Sequence, residues 1–214
     1  KYQKTYLNEQ SIKTKRELNT FDCIHAPCVD TCPTNQSIPD YMYYTSKGEF
    51  DKAFEVIKQT NPFPHTTGMV CEHNCQTKCT RINYDNSLQI REIKRFVSEN
   101  AKSLNINNKI ADNKLKISII GAGPSGLSCA YFLRKAGFDV NIFEEKQKPG
   151  GMADAAIPNF RLTANDIDID IKEIEKLDVK INYNYKVDEE KFTELQKKSD
   201  FVYIAVGAQK ARDF

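Results

Sequence analysis

The chain has 214 residues, with Lys+Arg 31 against Asp+Glu 29 for a net charge of +2, and 40% of it is hydrophobic. That length allows one or two domains, each able to bury its own core, and so balanced a charge offers no broad field to nucleic acid or to a membrane surface. No apolar run approaches the roughly 18 residues of a spanning helix, nothing reads as a signal peptide, and a start at Lys1 rather than Met leads us to expect a piece of a longer protein.

Residues 1–20 are polar, with Tyr6, Leu7, Ile12 and Leu18 as scattered apolar points, and could form one solvated helix. Then comes Cys23-Ile-His-Ala-Pro-Cys28-Val-Asp-Thr-Cys32-Pro33, whose compact spacing, closed by Cys-Pro, is like the loops that aim several thiolates at one iron–sulfur cluster. A helix is predicted from Ile38-Pro39-Asp40 to Gly48 and another from Phe50 to Ile57, their Tyr and Met positions reading as ordinary core; Asn61-Pro62-Phe63-Pro64 is a rigid turn. Cys71, Cys75 and Cys79 follow at i, i+4, i+8, a spacing that would bring them to one face of a short helix. With six of the seven cysteines inside residues 23–79, metal binding is favoured over disulfides. Leu88 to Leu104 reads as an amphipathic helix with Ile90, Ile93, Phe96 and Val97 inward and Arg91, Lys94 and Arg95 outward. We expect residues 1–104 to be a helical domain, 105–114 a polar linker and 115–214 a nucleotide-binding domain.

The second part is the more specific. Leu115 to Ile120 is a short apolar strand that runs into Gly121-Ala122-Gly123-Pro124-Ser125-Gly126, which opens a helix with Leu127, Ala130, Tyr131 and Leu133 at helical spacing; Asp139 to Phe143 is a second strand, ending at Glu144. Gly121 permits the turn, Gly123 lets the backbone approach a pyrophosphate, and Gly126 lets helix and strand close up. The acid that accepts ribose hydroxyls belongs about 20 residues on, where Glu144 stands, followed by Glu145. Strand, loop, helix, strand and acid together predict a dinucleotide site. Beyond it lie the turn Lys148-Pro149-Gly150-Gly151-Met152, the segment Ile157 to Leu162, a helix from Ala164 to Leu177, a strand from Val179 to Tyr183, a helix from Glu189 to Lys198, and Asp200 to Ala208, read as a buried strand ending in a glycine turn. Strands alternating with helices mean a parallel sheet. No catalytic acid–base pair is evident; Asp166-Ile-Asp-Ile-Asp170 reads as a helix face, Cys129 as core and His65 as surface.

In order, Cys23 to Pro33, Asn61-Pro62, Met69-Val70-Cys71, Ile93-Lys-Arg-Phe96, Gly-Ala-Gly-Pro-Ser-Gly, Phe143-Glu144, Gly150-Gly151-Met152 and Ile157-Pro-Asn-Phe-Arg161-Leu162 resemble one family. It comprises the small (beta) subunit of NADPH-dependent glutamate synthase, the N-terminal half of dihydropyrimidine dehydrogenase and the selenate reductase subunits. The resemblance implies a ferredoxin-like α-helical iron–sulfur domain followed by an incomplete α/β Rossmann-like FAD-binding domain. In such a protein electrons pass from NADPH to FAD and through 4Fe–4S clusters to an acceptor site in a separate redox partner domain or subunit, in the cytoplasm, with no nucleic acid or membrane involved. Carried over residue by residue, it implies that Gly121 to Gly126 hold the FAD pyrophosphate and Glu144 the ribose. Gly150, Gly151, Met152 and Arg161 would make further FAD contacts, Val187 would lie near the adenine, and Gly207 would close the turn Ala205 to Ala208. The NADPH-binding domain would follow that turn, so we expect the chain alone to be unable to oxidise NADPH.

The family also implies interleaved cluster ligands, from which this sequence departs. Thr20 stands at the family's first cysteine, leaving Cys23, Cys28 and Cys79 for one cluster and Cys32, Cys71 and Cys75 for the other. The Gln or Glu of the second cluster falls at Lys94, an ammonium with no lone pair, with Gln89 and Glu92 as nearby substitutes. Three readings stay open: two clusters with three thiolates each and a fourth ligand from water, Thr, His, Gln or Glu; zinc held with His25 or His73; or loss of the clusters. A non-catalytic docking module, zinc-stabilised or metal-free and with an empty flavin domain, is the rival from another class. The Gly-Gly-Met and Ile-Pro-Asn-Phe-Arg segments speak against a simple NAD-dependent dehydrogenase.

Overall fold

The computed structural model describes residues 26–102 and 112–208. The expectations for residues 1–20, and those placed on Cys23 and His25 and on most of the linker, lie outside them. The chain divides into two compact units, Lys1–Leu104 and Asn105–Phe214.

In the first unit the described residues form α1 (Pro27–Thr31), α2 (Ile38–Ser46), α3 (Phe50–Lys58), α4 (Pro64–Val70), α5 (Asn74–Thr77) and α6 (Ile90–Asn100), with a 3-10 turn at Thr80–Asn83. Prolines at the first or second position start α1, α2 and α4, where the missing N–H costs nothing. Asn61 shapes the turn into α4 by accepting from the Phe63 N–H at 2.9 Å. The core is built from Ile38, Tyr41, Ala53, Phe54, Ile57, Ile90 and Val97 of α2, α3 and α6, with Cys28, Cys32 and Cys75 against it.

Two expectations here need correction. Cys71, Cys75 and Cys79 do not share one helix: Cys71 caps α4 in an extended conformation, His73 takes a left-handed φ of 43°, and Cys79 comes after α5 has ended. The inward stripe of α6 is Ile90, Lys94, Val97 and Ser98 rather than Ile90, Ile93, Phe96 and Val97. Phe96 stays 46% exposed with its ring edge-on to Phe50, while Lys94 is buried. Lys94 turns inward because polar atoms wait for it there, a reason that hydrophobic spacing does not carry.

The second unit is a parallel sheet of β1 (Lys116–Ile120), β2 (Asp139–Phe143), β3 (Lys180–Asn182) and β4 (Phe201–Ile204), in the order β3-β2-β1-β4. Helices α7 (Pro124–Lys135), α8 (Met152–Ala156), α9 (Ala164–Glu175) and α10 (Glu189–Lys198) make the connections. In register Ile119 of β1 faces Ile142 of β2 on one side and Tyr203 of β4 on the other. Ile117, Ile119 and Ile120 are buried, as a central parallel strand covered on both faces requires. Ser118 is buried too and meets Ser199 through a 2.6 Å hydrogen bond between hydroxyls. β4, expected to be buried, lies at the sheet's edge with Phe201 61% and Ile204 59% exposed. The Asp166–Asp170 stretch lies in helix as read: Thr163 and Asp166 form a capping box that starts the helix Ala164–Glu175, and Asp170 is fully buried.

Candidate functional site

The order β3-β2-β1-β4 reverses direction between β1 and β4, and at such a point the loops at the carboxyl ends of neighbouring strands part to leave a crevice. A cleft of about 480 Å³ opens there, lined by Ile120 and Gly121 at the end of β1, Phe143 to Lys146 at the end of β2, and Ile204 to Gly207 at the end of β4. Gly123, Pro124 and Ser125 at the start of α7, with Gly151, Met152, Tyr185 and Val187, complete it.

The loop is shaped by close approach. A Cβ on Gly126 would lie 2.0 Å from the Gly121 carbonyl oxygen and 3.2 Å from Ile119 Cγ2, so α7 reaches the end of β1 only without a side chain. Gly151, at φ +54°, would drive a Cβ to 2.8 Å from Gly123 Cα. Gly123 differs: a Cβ there would meet only Gly151 Cα, at 3.8 Å, so its bareness leaves room on the cleft side rather than relieving a clash. It is the N-cap of α7, and no side chain caps that end nor does an acid stand in the first turn. Free N–H groups and the positive end of the helix dipole therefore face the cleft, the arrangement that holds a pyrophosphate.

Glu144 is 7% exposed, and its carboxylate is already employed: it accepts from the Ala122 N–H at 2.6 Å and from the Lys146 N–H at 2.9 Å. The loop is thus moulded onto the acid before any ligand arrives, with lone pairs left for hydroxyl groups. Its backbone carbonyl accepts from Tyr185 N–H at 2.8 Å, and the Tyr185 ring lies 5.0 Å from that of Phe143. Glu145 is exposed and pairs with Lys186 at 3.5 Å.

Of the sequence-predicted residues, Gly121, Gly123, Pro124, Ser125, Glu144, Glu145, Gly151, Met152, Val187 and Gly207 line this one cleft. Ala122, Gly126 and Gly150 lie buried behind it; the Gly150 N–H donates to the Ala122 carbonyl at 2.8 Å. Arg161 does not reach the cleft: it is exposed in a turn whose backbone N–H returns to the Pro158 carbonyl. Phe143, Lys146 and Tyr185 were missed, since only the pairing of β2 with β3 brings Tyr185 beside Phe143. The donors, the free helix end and the buried acid fit a dinucleotide.

The thiols gather in the first unit. α1 carries Cys28 in its first turn and ends at Cys32; it packs against α5, which carries Cys75. Cys75 and Cys79 are buried, and Cys28, Cys32 and Cys71 are half-buried. Burial, then repulsion from Cys79, pushes the Cys28 thiol up. Burial, then Cys71, Cys32 and Cys28, pushes Cys75 up to about 11. Tyr41, 1% exposed, is raised well above its ordinary value by burial and then by Cys75, Cys32, Cys28 and Cys71. The five described thiols of the first unit thus lie near enough to repel one another, Cys28 feeling Cys79 most and Cys75 feeling Cys71 most. Cationic metal would reverse the mutual repulsion, and thiolates in an apolar shell are the donors that iron–sulfur clusters take. Among the described residues no three His, Cys, Asp or Glu side chains are set to hold a single metal ion.

A thiol-rich helical unit followed by a Rossmann-like nucleotide unit defines a class of redox protein, and comparison with known proteins agrees. Residues 1–106 match the family model for the 4Fe-4S cluster domain II of dihydropyrimidine dehydrogenase, and residues 119–164 that for an NAD(P)-binding Rossmann-like domain. YgfK of Escherichia coli K12, named as a candidate oxidoreductase, is 36% identical over 215 residues, 97% of this chain and 20% of that protein. The NADPH-Fe(3+) oxidoreductase subunit beta of Geobacter sulfurreducens is 35% identical over 194 residues, 87% of this chain and 29% of the other. The glutamate synthase [NADPH] small chain of Azospirillum brasilense is 28% identical over 193 residues, 87% and 40% respectively. The chain is a homologue of these oxidoreductase subunits, as its motifs implied, and it spans about one fifth of the length of the first relatives it matches.

Proposed function

We propose that the chain is the electron-relay part of an NAD(P)H-dependent flavin and iron–sulfur oxidoreductase. The cleft takes FAD, the thiol sites take 4Fe–4S clusters, and electrons leave for an acceptor site in a partner domain or subunit. The observation that carries this reading is the pairing, in one chain, of a preformed pyrophosphate cradle with five thiols grouped around the packed pair α1 and α5. Bound flavin supplies the conversion of a two-electron hydride into single electrons.

The chain's own residues bind, orient and exclude. The free N–H groups at the start of α7 face the pyrophosphate. Glu144, held by two backbone donors, offers its remaining lone pairs to the ribose. Phe143, Tyr185, Val187, Gly151 and Met152 wall the cleft, with Val187 taken to lie near the adenine. In the first unit, the apolar core behind Cys75 keeps water from the inner side of the thiol sites. The domain division at residues 104 and 115, the ligand partition, FAD rather than another dinucleotide, and an NADPH domain elsewhere in a longer cytoplasmic protein all belong to this proposal.

Its test is an anaerobic absorption spectrum of the purified chain, with iron, sulfide, zinc and flavin quantified on one sample. About eight irons with matching sulfide, and flavin bound after reconstitution, are expected from two four-iron clusters. Zinc in place of iron, or no metal after anaerobic reconstitution, would refute the relay and leave a docking module. Steady NADPH oxidation with a dye acceptor would refute the placement of the NADPH site outside the chain.

A further inference from the structure

Lys94 is the one buried charge of α6, 7% exposed and central in the inward stripe. Its Nζ donates to Thr67 Oγ1 of α4 at 3.0 Å and to Cys71 Sγ at 3.8 Å. Neither sequence neighbour can stand in for it at the thiols. Gln89 is the exposed N-cap of the helix, and Glu92 is exposed and held by the Arg91 guanidinium at 2.7 Å. The family's amide or carboxylate, which would supply an oxygen lone pair, is here replaced by a group that already spends its N–H donors on a hydroxyl and a thiol.

We propose that Lys94 fills the fourth corner of the Cys32, Cys71 and Cys75 site as a hydrogen-bond donor and not as a ligand. A cluster there is then held by three thiolates and keeps one iron without a protein ligand. This rests on the cluster reading above. Two consequences follow. The unligated iron is the one that leaves under oxidation and the one open to a small external donor such as water or a thiolate. And an N–H donor at Cys71 Sγ withdraws electron density from the sulfur, which favours the reduced cluster and raises its potential.

The experiment compares the whole chain with Lys94→Glu and Lys94→Met, each reconstituted anaerobically with iron and sulfide and checked for helix content by circular dichroism. Ferricyanide is then titrated in. At a three-thiolate site the cluster [4Fe–4S]2+ gives [3Fe–4S]+, one Fe2+ and one electron, which reduces one ferricyanide to ferrocyanide. Released iron and the paramagnetic three-iron signal are read together. The other site also lacks one family cysteine, so the comparison is by difference: K94E, with a carboxylate at the corner, releases one iron per chain fewer than the native chain. K94M releases as much as the native chain but its second cluster has the lower midpoint potential. Equal release from the native chain and K94E would overturn the proposal. So would a nitrogen coupling as strong as a direct Fe–N bond gives in protein carrying 15N-lysine and absent from K94M, which would make Lys94 a true ligand rather than the donor of a hydrogen bond. If K94E does not fold, the labelled native chain and K94M still decide. Iron in none of the three proteins would sink the cluster reading itself, an outcome distinct from iron that is present but equally released.

Discussion

Glu144→Ala is the substitution that best separates holding the loop from holding the ligand. The carboxylate receives two backbone N–H groups in the absence of any ligand, from Ala122, which is fully buried, and from Lys146, which is exposed. Water can replace the acid at Lys146 but not at Ala122, so the cost centres on one stranded buried donor. A buried donor left unpaired costs roughly 1–3 kcal/mol, and a bond to a charged acceptor is itself worth roughly 1.5–3. We therefore expect E144A to destabilise the ligand-free second unit by about 2–3 kcal/mol, which lowers the melting temperature of a domain near 100 residues by roughly 10 °C or more. Glu144→Gln keeps one acceptor oxygen and turns an amide N–H2 toward the other donor, so it should cost about half as much by the same accounting. The assay is urea unfolding of the ligand-free chain, with hydrogen exchange at Ala122 and β1 assigning the transition to the second unit, followed by FAD titration. An unchanged ligand-free midpoint in E144A, with FAD binding lost, would refute the reasoning: the acid would then serve the ligand alone.

Gly126→Ala gains helix propensity of roughly 0.8–1 kcal/mol but meets backbone oxygen at 2.0 Å. Overpacking against an immovable neighbour costs about 1–3 kcal/mol or more, so we expect net destabilisation and at least tenfold weaker FAD binding, read by titration. Thr163→Ala removes the capping box of α9 and should lower stability by about 1 kcal/mol in urea, with the cleft and its ligand affinity unchanged. Cys75 is raised from 9.0 to about 11, so the neutral thiol is favoured by folding. The stability it contributes to the metal-free chain is whole below pH 9 and is lost as the pH rises from about 9 through about 11. Cys75→Ala should flatten that part of a pH series of urea midpoints, and an unchanged slope would argue against the burial that causes the shift.

The nucleotide cleft was legible because each of its parts has a local cause. Gly121 to Gly126 and Glu144 answer to a turn, a close approach and a hydrogen-bond acceptor at fixed chain distances, and β1 and β2 announce themselves as apolar runs. What failed depends on neighbours far along the chain. Whether β4 is central or at an edge is decided by which strands pair, and its own apolar sequence is the same either way. Tyr185 enters the cleft through strand pairing, and Arg161 stays out of it because Pro158 to Leu162 closes its own turn. The thiol helix was misread because spacing by four residues suits a helix, whereas His73 takes a left-handed backbone that spacing does not reveal. Lys94 shows the limit most plainly: a lysine on an amphipathic helix reads as solvated until Thr67 and Cys71, brought in by α4, give its ammonium something to bind.

The short thiol-bearing helices have a bearing on how such a protein is put together in time. α1 has no buried residue and α5 only Cys75, whereas α2, α3 and α6 bury a continuous set of apolar side chains. The three longer helices can thus close on themselves as the chain emerges, while α1 and α5 gain little until something bridges their sulfurs. If the thiol sites take clusters as proposed, loading follows folding, onto a platform where burial holds Cys28 and Cys75 toward the neutral thiol. On that same reading, a metal-free chain keeps the core of α2, α3 and α6 while α1 and α5 wait for metal.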